Sequence, residues 1–179
     1  EELLNKIMRI IVENSGSQLG FLLLTHNKKL KIEVAYDIVT KSQTKDLKTL
    51  INIPDSIINY VKRTKKSIIY GGSTKDKLFE QDAYILNRNP KSIFCLPILY
   101  KKDFLGILYL ENRNIVNLYT EEKIEFLKLL ANQAAISIDH AKLFKQTVDY
   151  SATLEQTVDE KTKELQHAVN ELRVYATVD

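Results

Sequence analysis

Cys95 is the only cysteine of the chain, and it stands in "SIFCLPIL" beside Ile93, Phe94 and Leu96. A nucleophilic or metal-binding cysteine works as its thiolate, which needs basic neighbours or a metal to form near neutral pH. No basic residue lies close enough in sequence to do this. An unpaired cysteine among apolar residues is expected to fill space in a core.

The three histidines, His26, His140 and His167, are widely separated. No Cys/His spacing suits a metal, so each reads as a polar surface residue. The run Gly71-Gly72-Ser73-Thr74-Lys75 hints at a phosphate cradle. It lacks the spaced second glycine and the Lys-Ser/Thr ending of such loops, and a flexible turn is the simpler reading. Glu121 and Glu122 follow Thr120 at an expected helix start, where acids offset the helix dipole. "KRTKK", Lys62 to Lys66, follows the apolar "SIINYV". Cations belong at such a helix C-terminus, and that reading is preferred over a phosphate patch. No serine carries the glycines of a nucleophile elbow. No catalytic residue is therefore assigned, and the segment itself is not expected to be an enzyme.

These residues must be positioned by 179 residues, enough for one domain with an appendage. Twenty-six basic and twenty-three acidic residues leave a net charge of +3, too weak and dispersed for a nucleic-acid partner. A lone cysteine excludes an internal disulfide and fits a reducing, cytoplasmic setting. No apolar run approaches the roughly 20 residues that span a bilayer, so no membrane insertion is expected of this segment. The chain opens on Glu1 with "EELLNKIMRIIVEN", an amphipathic pattern rather than a signal peptide, as expected of a piece of a longer protein.

The apolar period marks an N-terminal helix ended by "NSGSQLG". "FLLLTHNKKLKIEVAYD" then reads as a hairpin about a polar turn. Ile38 to Asn52 is polar and ambiguous. A short helix with Pro54 near its start leads to a strand at Ser67 to Tyr70. The long connection that follows carries a helical turn around Leu78 to Leu86, and loops of that length are often functional. "SIFCLPILYKKDFLGILYLEN" resolves into strand, turn and strand. From Thr120 the chain is helical, and no Pro or Gly occurs after Gly106 to stop it. Hairpins with helices at both ends indicate an α+β fold, an antiparallel sheet with helices packed against it.

One heptad register runs along the last helix. Its a positions include Leu127, Ala134, Ala141, Val148 and Val169, and its d positions Leu130, Phe144, Val158, Leu165 and Leu172. The register weakens at Ser151, Glu155 and Thr162. A 3.5-residue apolar repeat predicts a left-handed coiled coil with a partner helix. So polar a helix gains its stability from packing. The expected partner is a second copy, giving a homodimer through the terminal helices, preferably parallel; a frayed, solvated tail is the alternative.

Three stretches resemble the GAF domain, a small-molecule-sensing and dimerising module of signalling proteins. "SIFCLPILYKKDFLGILYLEN" is similar to its central hairpin, with Pro97 in the first strand and Gly106 opening the second. "YTEEKIEFLKLLANQAAISIDHAKLF" is similar to the helix that follows, and "SGSQLGFLLL" to the entry into the first strand. The wording resembles the GAF domains of bacterial multi-sensor kinases.

The resemblance covers residues 1–148, which leaves 149–179 as a coiled-coil linker. It implies a central antiparallel sheet with the terminal helices on one face and a pocket under the long loop on the other. The pocket residues it suggests are Tyr70, Phe79, Tyr84, Ile85, Phe94 and Leu96. An unknown small-molecule ligand is implied, but the cofactor is unknown: cyclic-nucleotide, bilin and haem signatures are absent, and no metal signature is seen. A GAF-like methionine sulfoxide reductase would want a resolving thiol, which this chain lacks. "YATVD", Tyr175 to Asp179, is similar to residues that open GGDEF diguanylate cyclase domains. The expected role is thus regulatory, relaying a signal through the coiled coil to an output domain, a diguanylate cyclase first. A sensor histidine kinase, or a ligand-free dimerisation scaffold, is the alternative.

Overall fold

The computed structural model describes residues 2–27, 29–39, 42–43, 53–72 and 78–176, with the backbone alone at 42–43 and 170–176. The order is α1 (Glu2–Ser15), β1 (Leu19–His26), β2 (Lys29–Asp37), β3 (Ser42–Gln43), α2 (Asp55–Thr64) and β4 (Ile68–Gly71). Then come α3 (Ala83–Arg88), β5 (Ser92–Tyr100), β6 (Asp103–Asn112) and α4 (Glu121–Ala176). The chain divides after Ile138 into two compact units, the second being Asp139–Asp179.

In the first unit the strands form one sheet in the order β3-β2-β1-β6-β5-β4, every pair antiparallel. The two local hairpins turn at Asn27 and Lys101, both in the left-handed region. Their joining through β1 and β6 is non-local, and Gly106 shows how close that joint is. A Cβ there would stand 2.0 Å from the Leu23 carbonyl oxygen on β1. Gly20 serves the other direction: a Cβ would meet Met8 and Val12 of α1 at 2.5 and 2.6 Å. The helix rests directly on the strand because that side chain is missing.

Strand alternation sends every second residue to opposite faces. On one face Leu22, Leu24, Phe94, Leu96, Ile98, Leu108 and Leu110 pack with Met8, Ile11 and Val12 of α1 and with Leu127, Ala131 and Ala135 of α4. On the other, Phe21, Leu23, Ile93, Cys95, Ile107 and Tyr109 pack with Ile57, Ile58 and Val61 of α2. A register shift between Leu22 and Leu23 sends Ile32 and Val34, two residues apart on β2, to opposite faces.

Polar links close the first layer. Ser15 Oγ and Ser17 Oγ lie 2.6 Å apart, and Ser17 Oγ is 2.9 Å from the Tyr119 hydroxyl. Asn112 donates to the Gly16 carbonyl and accepts from the amides of Asn114 and Ile115. Ser15 to Ser17, at the end of α1, is thereby fastened to the turn that enters α4.

Three heptad residues pack inward, Leu127 and Ala134 buried and Leu130 partly so. Leu127 is fully buried in the first layer, and Ala134 is buried beside Leu4 and Ile7 of α1; Leu130 packs against the same cluster. α4 turns this seam towards its own sheet, so Leu127 and Ala134 are core residues and not partner-facing ones. In the second unit Ala141 is exposed, as are Phe144 (73%), Val148 (50%), Val158 (55%), Leu165 (67%) and Val169 (52%). The side chain of Leu172 lies outside the described residues.

Candidate functional site

The face of the sheet under α2 and α3 is where chemistry-bearing groups converge. Phe21 and Tyr109 stack across β1 and β6, with centroids 5.5 Å apart and planes 18° apart. Tyr109 and Glu111 share this face by alternation along β6, and the Tyr109 hydroxyl donates to Glu111 Oε2 at 2.8 Å. From α3, the Tyr84 hydroxyl donates to the same oxygen at 2.5 Å. Oε1 has no hydrogen bond among the described residues and stands 3.9 Å from Arg113 Nε.

Glu111 is fully buried. Burial pushes its carboxyl above the ordinary range, against the opposing pull of the two tyrosine hydroxyls, Arg113 and Arg88. Burial first, and then Glu111, drives both tyrosine hydroxyls up.

α3 is seated by Asp82. Its Oδ1 accepts the amide of Tyr84 and its Oδ2 the amide of Ser56 on α2, each at 2.8 Å. Burial alone would raise this carboxyl, but hydrogen bonds from Ser56, Tyr84 and Ile85 outweigh it and hold it below its usual value. One carboxylate thus caps α3 and ties it to the start of α2. Tyr60, Phe79 and Tyr70 form an edge-to-face row, with centroids 5.7 and 6.4 Å apart.

Cys95 lies within this layer, fully buried, its thiol pushed well up by burial. A group so placed is a poor nucleophile, in line with its reading as packing. His26 is exposed and faces Glu33 at 3.2 Å; His140 and His167 are exposed on α4. Among the described residues no three His, Cys, Asp or Glu side chains converge to hold a metal. Of the glycine run, Ser73 to Lys75 lies outside the described residues.

Residues 1–138 match the sequence pattern of the GAF domain. This chain belongs to the GAF family.

Among its relatives, hybrid signal transduction histidine kinase G of Dictyostelium discoideum is 45% identical over 89 residues, half of this chain and 3% of that protein. Histidine protein kinase 1 of Candida albicans is 24% identical over 184 aligned residues, covering 96% of this chain and 7% of that protein. The chain therefore spans only a small part of the curated relatives it matches. The GAF domain of a two-component sensor histidine kinase from Bacillus halodurans shares the fold, with a TM-score of 0.57 and 23% identity over 79% of this chain and 97% of that one. So does that of a GAF domain/HD domain protein from Geobacter sulfurreducens, with a TM-score of 0.60 and 14% identity over 80% of this chain and 94% of the other.

Within this GAF domain the six pocket residues read from sequence are not one group. Tyr70, Phe79 and Ile85 sit in the layer under α2, and Tyr84 reaches Glu111. Phe94 and Leu96 lie on the opposite face with α1 and α4. They must, because Ile93 and Cys95 take the α2 side of the same strand. Glu111 was missed: it ends the apolar run "GILYLE", and alternation from Ile107 and Tyr109 was the signal that places it indoors. Phe21, Ile93, Cys95, Ile107 and Tyr109 are fully buried on this face. The space beside it is an open groove of about 530 Å³ between α2 and residues 78–79.

Proposed function

We propose that this GAF domain regulates a histidine kinase, relaying a signal through paired α4 helices of a parallel homodimer to the output domain. The observation that carries this reading is the match to Candida albicans histidine protein kinase 1, which runs through 96% of the chain and so includes most of the helical extension. The other two curated relatives, from Dictyostelium discoideum and Thermosynechococcus vestitus, are histidine kinases as well. They favour a kinase over the diguanylate cyclase suggested by Tyr175 to Asp179.

On this reading residues 1–148 sense, and 149–179 form the coiled-coil linker. Support for pairing comes from Phe144, Val148, Val158, Leu165 and Val169, large apolar side chains at heptad positions with half or more of their surface exposed. Among the described residues no helix is long and apolar enough to cross a membrane, and the module is assigned to the cytoplasm. Signalling requires the effector to bind the two helix arrangements with different affinity; coupling of about 1–3 kcal/mol is typical. Full burial of Phe21, Ile93, Cys95, Ile107 and Tyr109 under α2 supports a second reading, in which the domain is a ligand-free dimerisation scaffold.

The test is made on the parent protein. Incubation with ATP is expected to yield phosphohistidine, and Leu172→Pro to abolish its regulation while autophosphorylation persists. Conversion of GTP to a cyclic dinucleotide with no phosphohistidine would overturn the kinase assignment. Unchanged regulation in Leu172→Pro would overturn the relay.

A further inference from the structure

We propose that α3 is a proton-gated cover: it closes over Glu111 when that carboxyl carries a proton and lifts as the carboxyl ionises. A helix of six residues has no stability of its own. Two buried side chains, Tyr84 and Ile85, hold it to the domain, while Leu86 is exposed. Its polar attachments run through two carboxylates. Tyr84 donates to Glu111 at 2.5 Å, and Asp82 accepts the amides of Tyr84 and Ser56. At its far end the chain turns at Asn89, in the left-handed region with φ of 44°.

The two carboxylates answer to protons with opposite sign. Asp82 is held below its usual value, so its tie is lost only as pH falls through that lowered value. Glu111 is set the other way. With α3 down it is fully buried, and its Oε1 has no hydrogen bond among the described residues. A buried charge without a partner costs more than a buried neutral group, and burial outweighs the donors that favour the ionised form. With α3 lifted, water reaches the carboxylate and its ordinary value of about 4.3 returns. Closure is therefore complete below that value and is lost as pH rises through the raised one.

Among the described residues, the groups that act on Glu111 come from several elements. α3 presents Tyr84 and Arg88, β6 presents Tyr109, and Arg113 follows β6. Tyr119 feels the charge of Glu111 from the turn into α4, and Cys95 on β5 acts on Tyr109. Tyr84, Tyr109, Arg113 and Arg88, in that order, favour the ionised form and soften the switch without reversing it. The three tyrosines and the thiol are driven up, by burial first, and keep their protons. They leave Glu111 as the group that titrates in this cluster. Opening is read on the free chain and output on the parent kinase, so neither result decides the other.

The test is hydrogen exchange by NMR on the whole chain from about pH 4.5 to 6.5, with the Glu111 carboxyl carbon titrated alongside. The Leu86 amide bonds to the Asp82 carbonyl and the Asn89 amide to that of Ile85, so both report on α3. Amides of the β1–β6 pairing are the reference. The α3 amides should be at least about tenfold less protected than these, which marks a local opening. Corrected for intrinsic exchange, that opening should grow at least about fivefold over the range and level off above the Glu111 inflection. Tyr84→Phe should raise the opening at every pH, and Glu111→Gln, neutral throughout, should remove its pH dependence. A Glu111 inflection at or below about 4.3, α3 amides as protected as the strands, or an unchanged slope in Glu111→Gln would each overturn the proposal. The first two are read on the wild type and need no variant to fold.

Discussion

Replacing Tyr84 by Phe removes one oxygen and leaves the ring in place, so its cost isolates the bond to Glu111. That hydroxyl is one of two donors to Glu111 Oε2, and Oε1 has no hydrogen bond among the described residues. A hydrogen bond to a charged group contributes about 1.5–3 kcal/mol, and one between neutral groups about 0.5–1.5. Above the raised native value, where the carboxyl is ionised, Tyr84→Phe is therefore expected to cost about 1.5–3 kcal/mol, a melting shift of about 3–12 °C for a chain of this size. In a Glu111→Gln background the same change should cost about 1 kcal/mol less, and this coupling can be read as a double-mutant cycle.

The pH dependence has a definite sign. The native carboxyl of Glu111 holds its proton more tightly than an unfolded one, whose value is about 4.3. The stability it contributes is complete below that value and is lost as pH rises through the raised native one. Tyr84→Phe removes a donor that favours the ionised form, so it should steepen the loss, and Glu111→Gln should flatten it. Urea unfolding from about pH 4 to 8 is the assay, followed by tyrosine fluorescence because the chain has nine tyrosines and no tryptophan. A cost below about 0.5 kcal/mol, or an equal cost with Gln at 111, would refute the account of a buried, doubly donated carboxylate.

Three further outcomes are expected. Gly106→Ala should destabilise more than Gly20→Ala in thermal melts. The first drives a Cβ against the Leu23 backbone oxygen, while the second meets the ends of Met8, Val12 and Leu110 side chains, which can shift. Cys95 should resist a thiol reagent such as DTNB in the native chain and react at once in urea; prompt native labelling would contradict its burial. Phe144→Glu should weaken self-association about tenfold or more in sedimentation, and a monomeric wild type at high concentration would refute the paired helices.

Much of the architecture is legible from local pattern. The hairpins show in apolar runs broken by polar turns, and α2 in Pro54 followed by an apolar face. The length of α4 shows in the absence of any Pro or Gly after Gly106. The burial of Cys95 follows from its neighbours. Less was legible in the site. The short strand Ser42–Gln43 lies in a polar stretch with no period to read. Glu111 carries a charged side chain, and only its alternation partners Ile107 and Tyr109 place it in the interior.

What the sequence by itself determined is which residues share a face, because helix and strand periods are local properties of the backbone. Which face meets which neighbour was decided by tertiary structure alone. Phe94 and Leu96 alternate with Ile93 and Cys95 whatever the fold, yet only the placement of α1 and α4 on one side and α2 on the other says which pair looks where. Leu127 and Ala134 keep heptad spacing with Phe144 and Val148, but the sheet and α1 claim the first two. Spacing records rotation about an axis, and the packing that covers each side involves residues far apart in the chain.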